Sequence, residues 1–342
     1  MLQTQETIYQ QWLNLRHQQA RIRLFDAAQS LGLSEEQLVA ANCGIEAQKL
    51  APDFTLLFKN LESLGPLLAL TRNPHAVIEK EGVYRNVQLH GKVGMVLDED
   101  IDLRLFFAHW SSLYAVKLET ALGQRHGFYI FDHDGSATHK IYLTEQANFT
   151  KYCELVERLQ GQGLKQTDQL VPATVPASSF DRAKTADFLE DWSKMRDTHD
   201  FLLLLKKYGI SRYEALQVAE GRYAESLDPQ LCFKILRQAA EAKVPIMIFV
   251  GNRGCIEIHS GPIEKCVNKG GWFNILDQDF NLHVNTRGLS VAYRVEKPTT
   301  DGVVTSIELF AEDGELVMQV FGQRKPGQAE LESWREILRQ DI

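Results

Sequence analysis

Ten histidines and five cysteines are the side chains in this sequence most able to bind a metal or move a proton. Histidine titrates nearest neutral pH and is the commonest metal ligand, yet spacing alone singles out none of the ten. No H-E-x-x-H, G-x-S-x-G or P-loop pattern is present, so zincin, α/β-hydrolase and NTPase chemistry lack support. Cys43, Cys153, Cys232, Cys255 and Cys266 contain no C-x-x-C pair and no zinc spacing, and read as buried thiols in a reducing compartment. GNRG at Gly251 to Gly254 lacks the dinucleotide-binding spacing and reads as a tight turn. DHDG at Asp132 to Gly135 is rich in carboxylates, but its hairpin-turn signature explains it better than a metal. His199 has the best local setting. It sits in DWSKMRDTHDFLLLLKKYGI, where Asp197 or Thr198 is placed to cap a helix whose apolar face begins at Phe201. That puts the imidazole in a first turn, either as a partly exposed bystander or as a ligand. Arg104, in DLRLFF, is a strand cation that is either salt-bridged or recognises an anion.

The elements that position these residues come in two copies. A chain of 342 residues predicts about two domains, and sliding the sequence against itself by 179 positions aligns Phe54 to Gly135 with Phe233 to Gly314 without a gap. Nineteen of the 82 columns are identical, roughly fourfold over chance for ordinary composition, so the halves are repeats. Both reach a D-G turn together, at Asp134-Gly135 and Asp313-Gly314. Upstream, SLGLSEEQLVA from Ser30 resembles KYGISRYEALQVA from Lys207. Each copy opens with helical periodicity and continues with short apolar or alternating segments divided by Gly, Asn and Asp, which predicts strands. The expected fold is α+β: two similar halves, each with helices packed on a large antiparallel meander. The boundaries read as an N-terminal repeat over 1–169, a Pro/Ser/Thr/Ala-rich linker over 170–186 and a C-terminal repeat over 187–342, closed by a helix around Trp334 and Ile337-Leu338.

A site used once should break the repeat. Arg104 falls opposite His283, and Arg212 in the second copy falls opposite Glu35 in the first. A net charge of −8 argues against a phosphate-backbone binder, so nucleic acid is not an expected partner. Apolar runs such as Phe201 to Leu205 and Val244 to Val250 are too short to span a bilayer, and the amino terminus lacks the basic and apolar regions of a secretory signal. A cytoplasmic protein without membrane insertion is expected.

Seven ordered blocks, LALTRN, DIDLRLFFAHWSSLYAVK, MRDTHDFLLLLKKYGISR, IMIFVGNRGCIEIHSGPIEK, GWFNILD, EKPTTDGVVTSIELFAEDG and QVFGQR, together resemble the bacterial haemin-degrading factor family, also described as cytoplasmic haem-transport proteins. The resemblance covers nearly the whole chain. It implies one haem, iron protoporphyrin IX, held in a cleft of the C-terminal half. His199 matches the family's proximal iron ligand, and a neutral imidazole suits that role. Arg104 matches the arginine on the distal side, with Phe106 beside it. Arg212 and Lys297 match basic positions for the propionates, Gln319 and Arg324 a polar rim, and Met247 a residue packed on the macrocycle. Phe321 stands where relatives often carry tyrosine. A second haem-binding histidine, found in some relatives within A-V-H-E, is absent here, where Ala76, Val77, Ile78 and Glu79 stand.

The resemblance supports two functions with the same residues. In one, Arg104 and His199 are catalytic and haem is degraded oxidatively to release iron, with electrons from an external reductase because no flavin or nicotinamide motif is visible. In the other, the protein carries haem and hands it to an acceptor such as a separate haem oxygenase. A homodimer is a further partner to expect.

Overall fold

A computed structural model describes residues 4–19, 22–120, 123–161, 170–171, 178–325 and 327–341. The chain forms two compact units. Unit 1 holds Met1–Arg72, Glu79–Thr174 and Asn252–Glu257, and unit 2 holds Asn73–Ile78, Val175–Gly251 and Ile258–Ile342. Each therefore takes one short piece from the opposite half of the sequence.

Unit 1 opens with α1 (Gln5–Gln18), α2 (Leu24–Leu31) and α3 (Glu35–Ala41), then β1 (Ala47–Leu50), α4 (Phe54–Leu61) and β2 (Leu67–Arg72). After β3 (Ala76–Gly82), which begins in unit 2 and ends in unit 1, come β4 (Val87–His90), β5 (Val93–Leu97), β6 (Asp102–Phe106), β7 (Trp110–Thr120), β8 (Gly123–Asp132), β9 (Ala137–Leu143) and α5 (Phe149–Leu159). Unit 2 repeats the order: α6 (Thr185–Ser193), α7 (Asp200–Tyr208), α8 (Arg212–Val218), β10 (Ala224–Leu227), α9 (Pro229–Glu241) and β11 (Ile246–Gly251). It continues through β12 (Cys255–Gly261), shared in the reverse sense, to β13 (Cys266–Lys269), β14 (Trp272–Leu276), β15 (Phe280–Asn285), β16 (Leu289–Thr299), β17 (Gly302–Ala311), β18 (Leu316–Gly322) and α10 (Glu332–Asp341).

The α+β repeat stands. In unit 1 the strands run β1-β7-β8-β9-β2, with β4-β5-β6 as a second run; in unit 2 they run β10-β16-β17-β18-β11 and β13-β14-β15. The registers fixed within these runs are antiparallel. The meander β7-β8-β9 is thus flanked by the two earlier strands, and likewise in unit 2.

Alternation along each strand supplies two apolar faces. On β16 to β18, Ala292, Ile307, Leu309, Met318 and Val320 pack with Phe233, Leu236 and Trp334 of α9 and α10. Tyr293, Val295 and Phe310 point the other way, onto Trp192 of α6, Phe201 and Leu204 of α7, and Leu216 of α8. Unit 1 does the same, with α4 and α5 on one face and α3 on the other.

Caps and turns repeat too. Ser34 caps α3, with Gln37 closing the box, and Ser211 caps α8. The D-G turns place Gly135 and Gly314 at φ 76° and 81°, a region costly for residues with a Cβ. At Gly135 a Cβ would also meet Ser34 Oγ at 2.3 Å. GNRG is the expected tight turn, between β11 and β12. The closing helix begins at Glu332 and buries Trp334, whose indole donates to Thr305 O at 3.1 Å. Of the expected linker, residues 172–177 lie outside the described residues, as do 162–169 at the end of the first repeat.

One expectation is corrected. Among the five thiols, all unpaired, Cys232 and Cys255 are buried, Cys266 is half-buried, and Cys43 and Cys153 are exposed. Tyr152, Leu155 and Leu159 define the inner face of α5, so its neighbour Cys153 points outward.

The chain crosses between units after Arg72 and after Gly251, and an asparagine stands at both crossings. Asn252 Nδ2 donates to Arg72 O and Thr138 O at 2.9 and 2.8 Å, while its Oδ1 accepts from the Gly254 and Cys255 amides. Asn73 does the same with Gly251 O, Val317 O and the amides of His75 and Ala76. Asn252→Ala strands four backbone groups and should cost about 2–4 kcal/mol, read as a lowered midpoint in denaturant unfolding.

Candidate functional site

Six of the eight residues singled out in the sequence lie in unit 2, and the structure gathers most of them on the sheet face under α6–α8. Lys297 follows Tyr293 and Val295 at two-residue steps on β16 and so shares their face. Its Nζ donates to Glu308 Oε1 at 2.5 Å and to Ser306 Oγ at 3.2 Å. Arg212, the first residue of α8, donates to Glu308 Oε2 at 2.9 Å. Both cations lie over the Phe201 ring, at 4.9 Å for Arg212 and 5.1 Å for Lys297. Gln319 sits opposite Glu308 on one side and Phe249 on the other; Phe321 sits opposite Ser306 and Met247. Lys297 Nζ is 5.6 Å from the Phe321 ring.

Glu308 is the residue that sequence reasoning missed. It is wholly buried. Burial alone would raise its carboxyl, but the charges of Arg212 and Lys297 outweigh that and hold it at about 2. Burial pushes the Lys297 ammonium down, with the Glu308 charge opposing the shift. A signal was present in the repeat: Glu308 falls opposite Tyr129, as Arg212 falls opposite Glu35.

His199 stands at the start of α7, one of the helices packed on this face, and that helix begins later than expected. Neither Asp197 nor Thr198 caps α7; His199 itself is the N-cap residue, with no side-chain cap bond. The Asp197 carboxylate is occupied instead by His199, accepting from its backbone amide at 2.8 Å and its ring Nδ1 at 2.5 Å. These bonds hold the Asp197 carboxyl below its usual range, the backbone bond contributing most. Asp200 secures the preceding loop, its Oδ2 accepting the Arg196 and Asp197 amides at 2.9 and 3.0 Å. Arg196 O in turn accepts the Thr300 amide at 2.9 Å. Next to Thr300, Asp301 lies 3.9 Å from Arg324, whose Nη1 is buried without a hydrogen-bond partner. The His199 side chain is 89% exposed. Leu202 and Leu203, three and four residues on and therefore on the same helical face, are 58% and 67% exposed.

Arg104 and Phe106 are on β6 of unit 1. Arg104 Nη1 donates to the Asp102 carboxylate two residues away and to Leu103 O at 3.2 Å. Phe106 is half-buried, and its amide donates to Gly254 O at 2.9 Å.

In unit 1 the equivalent face carries the opposite arrangement of charge. Glu35, on the helix where Arg212 stands in unit 2, accepts at 2.6 Å from Lys140, which occupies the Gln319 column. Tyr129 and Tyr142 join by a 2.6 Å hydroxyl bond where Glu308 and Phe321 stand. The other face of unit 1 has a polar network of its own. Tyr84 OH meets His139 Nε2 at 2.8 Å, His139 Nδ1 meets Thr71 Oγ1 at 2.9 Å, and Thr71 Oγ1 is 3.5 Å from Cys255 Sγ. These columns are Ile263, Met318, Val250 and Ala76 in unit 2, all core residues. Burial drives His139 down to about 3, which makes it a neutral structural histidine.

The pKa shifts give two tests. Burial raises the Glu257 carboxyl, beside this network, to about 8, partly opposed by Thr71 and Lys80 and reinforced by Glu79. A carboxyl raised on folding contributes stability below its ordinary value of 4.5 that is lost as pH climbs to about 8. Glu257→Gln should flatten that fall in a pH series of denaturant midpoints. Glu308 has the opposite sign, stabilising above its ordinary 4.5 and losing its contribution as pH falls toward 2. At pH 7, Arg212→Ala should cost about 2–3 kcal/mol, somewhat below the usual loss for a broken buried pair because Lys297 remains. Adding Glu308→Gln should deepen the loss, because it leaves the buried Lys297 ammonium without a counter-charge, as a double-mutant cycle would read.

Two copies of one α+β unit, the second carrying an exposed histidine at the start of α7 and a cluster of Arg212 and Lys297 on the buried Glu308, define a tandem-repeat protein. Comparison places it more closely: the chain belongs to the haemin-degrading HemS/ChuX family, whose domain (haemin-degrading HemS.ChuX domain) matches residues 32–159 and again 209–340. It is 37% identical over 334 residues to the hemin transport protein HmuS of Yersinia pestis, covering 96% of each chain. Among solved structures it resembles holo-PhuS, a heme-binding protein from Pseudomonas aeruginosa, with TM-score 0.95, 42% identity and 99% of both chains covered. It also resembles the heme degrading enzyme ChuS of Escherichia coli O157:H7, with TM-score 0.93, 34% identity and coverage of 99% of this chain and all of that one.

Proposed function

We propose that this protein binds one haem in unit 2 through His199 and serves haem uptake by carrying it to an acceptor. The observation that carries the reading is the exposed face of His199, Leu202 and Leu203, an imidazole flanked by apolar surface that solvent does not favour. The residues fit a porphyrin. Because Nδ1 faces Asp197, the proton sits there and Nε2 keeps the lone pair a metal needs. Arg212, Lys297 and the unpartnered Nη1 of Arg324 supply positive charge and donors for carboxylates. Met247, Phe249 and Phe321 supply polarisable and aromatic surface. For Arg104 and Phe106 the support is the D-L-R-L-F block.

Bound iron would supply the open coordination site that oxygen chemistry requires. The chain's own part is to hold and orient. Asp197 fixes the ring of His199, Glu308 keeps Arg212 and Lys297 in place before the ligand arrives, and Phe201 shields both cations from water. Arg104 is engaged within its own strand by Asp102 and Leu103 O. The free thiols agree with a cytoplasmic setting.

A second reading, oxidative degradation of haem with electrons from an external reductase, rests on the similarity to ChuS. Both readings require the axial histidine. Titrated with haemin, the protein should develop a Soret band that His199→Ala loses or shifts, with a severe loss of affinity; an unchanged spectrum would remove His199 from the axial role. Haem loaded anaerobically, then given reductant and air with catalase present, separates the two readings. Intact haem that moves to an apo-acceptor supports carriage, and an identified open tetrapyrrole supports degradation.

A further inference from the structure

Asp197 has a task that helix capping does not account for. Its carboxylate forms no cap with α7; it takes both the amide and the ring Nδ1 of His199. The loop that presents it is held twice over, by Asp200 accepting the amides of Arg196 and Asp197 and by Thr300 bonding Arg196 O. His199 is otherwise almost free in solvent, so packing does not choose its rotamer or tautomer. A flexible imidazole would present Nε2 only part of the time, and ordering it on binding would weaken the complex.

We propose that Asp197 is the positioning residue for His199. It locks the Nδ1–H tautomer, aims Nε2 outward before haem arrives, and gives the bound imidazole anionic character that favours ferric over ferrous iron. This inference rests on His199 as the axial ligand. Carboxylate partners of metal-bound histidines raise ligand basicity, and losing one typically costs 10–100-fold in metal affinity or activity. The carboxylate comes from the adjacent turn, so pre-organisation is local to 195–200.

Two variants divide the effects. Asp197→Asn keeps an oxygen that accepts from the ring and the amide but removes the charge; Asp197→Ala removes both. In the haemin-loaded full-length protein, Asp197→Asn should shift the iron midpoint potential positive and lower the iron–histidine stretching frequency of the ferrous form in resonance Raman, with affinity little changed. Asp197→Ala should do both more strongly and weaken haemin binding about 10- to 100-fold. A merely structural role would leave the Asn variant's potential and stretching frequency at wild-type values, and that result overturns the proposal. If His199→Ala binds haemin with the wild-type spectrum, the axial assignment itself fails. If His199→Ala loses the spectrum while both Asp197 variants match wild type, the axial assignment holds and the positioning role fails.

Discussion

Glu308 is a carboxylate with no access to water, and the organisation of unit 2 depends on how its charge is held. An isolated ion there would be prohibitive, so Lys297 from the neighbouring strand and Arg212 from α8 must both reach it. That demand ties a helix to the sheet at one point and sandwiches Phe201 of α7 beneath two cations. Side chains that would otherwise lose rotamer freedom on binding a ligand have already lost it. The trio keeps one net positive charge. An acidic chain of net charge −8 thereby retains a local cluster of positive charge, which shows why a whole-chain charge says little about any one place in the fold.

The repeat shows how one architecture was specialised twice. On the face under the first three helices, unit 2 has Arg212 on the helix and Glu308 on the sheet, while unit 1 has Glu35 on the helix and Lys140 on the sheet. On the opposite face it is unit 1 that is polar, with Tyr84, His139, Thr71 and Cys255 inside a core that unit 2 fills with apolar side chains. Unit 1 thus carries polar groups on both faces. His199, on its carboxylate-pinned turn, belongs to the second copy.

Much of this was legible in the sequence because it is periodic. The offset of 179 located both copies, and turns such as Asp134-Gly135 and Asp313-Gly314 fell where local chemistry places them. His199 and the basic residues came from the family's blocks. Glu308 was hidden because a buried carboxylate leaves no pattern of its own; its partners are 11 and 96 residues away and meet it only through strand pairing and helix docking. Asp197 was visible but misjudged as a cap, since the usual rule for an acidic residue before a helix gives no weight to a competing imidazole two residues on. The exposure of Cys153 likewise depended on which face of α5 packs.

The account turns on the imidazole of His199 being the ligand that unit 2 offers to iron, and chemical rescue tests that most directly. Haemin-loaded His199→Gly should show an altered Soret band that returns to the wild-type position as free imidazole is titrated in. A His199→Gly protein that binds haemin as tightly as wild type, with a Soret band identical to it and indifferent to imidazole, would contradict the account.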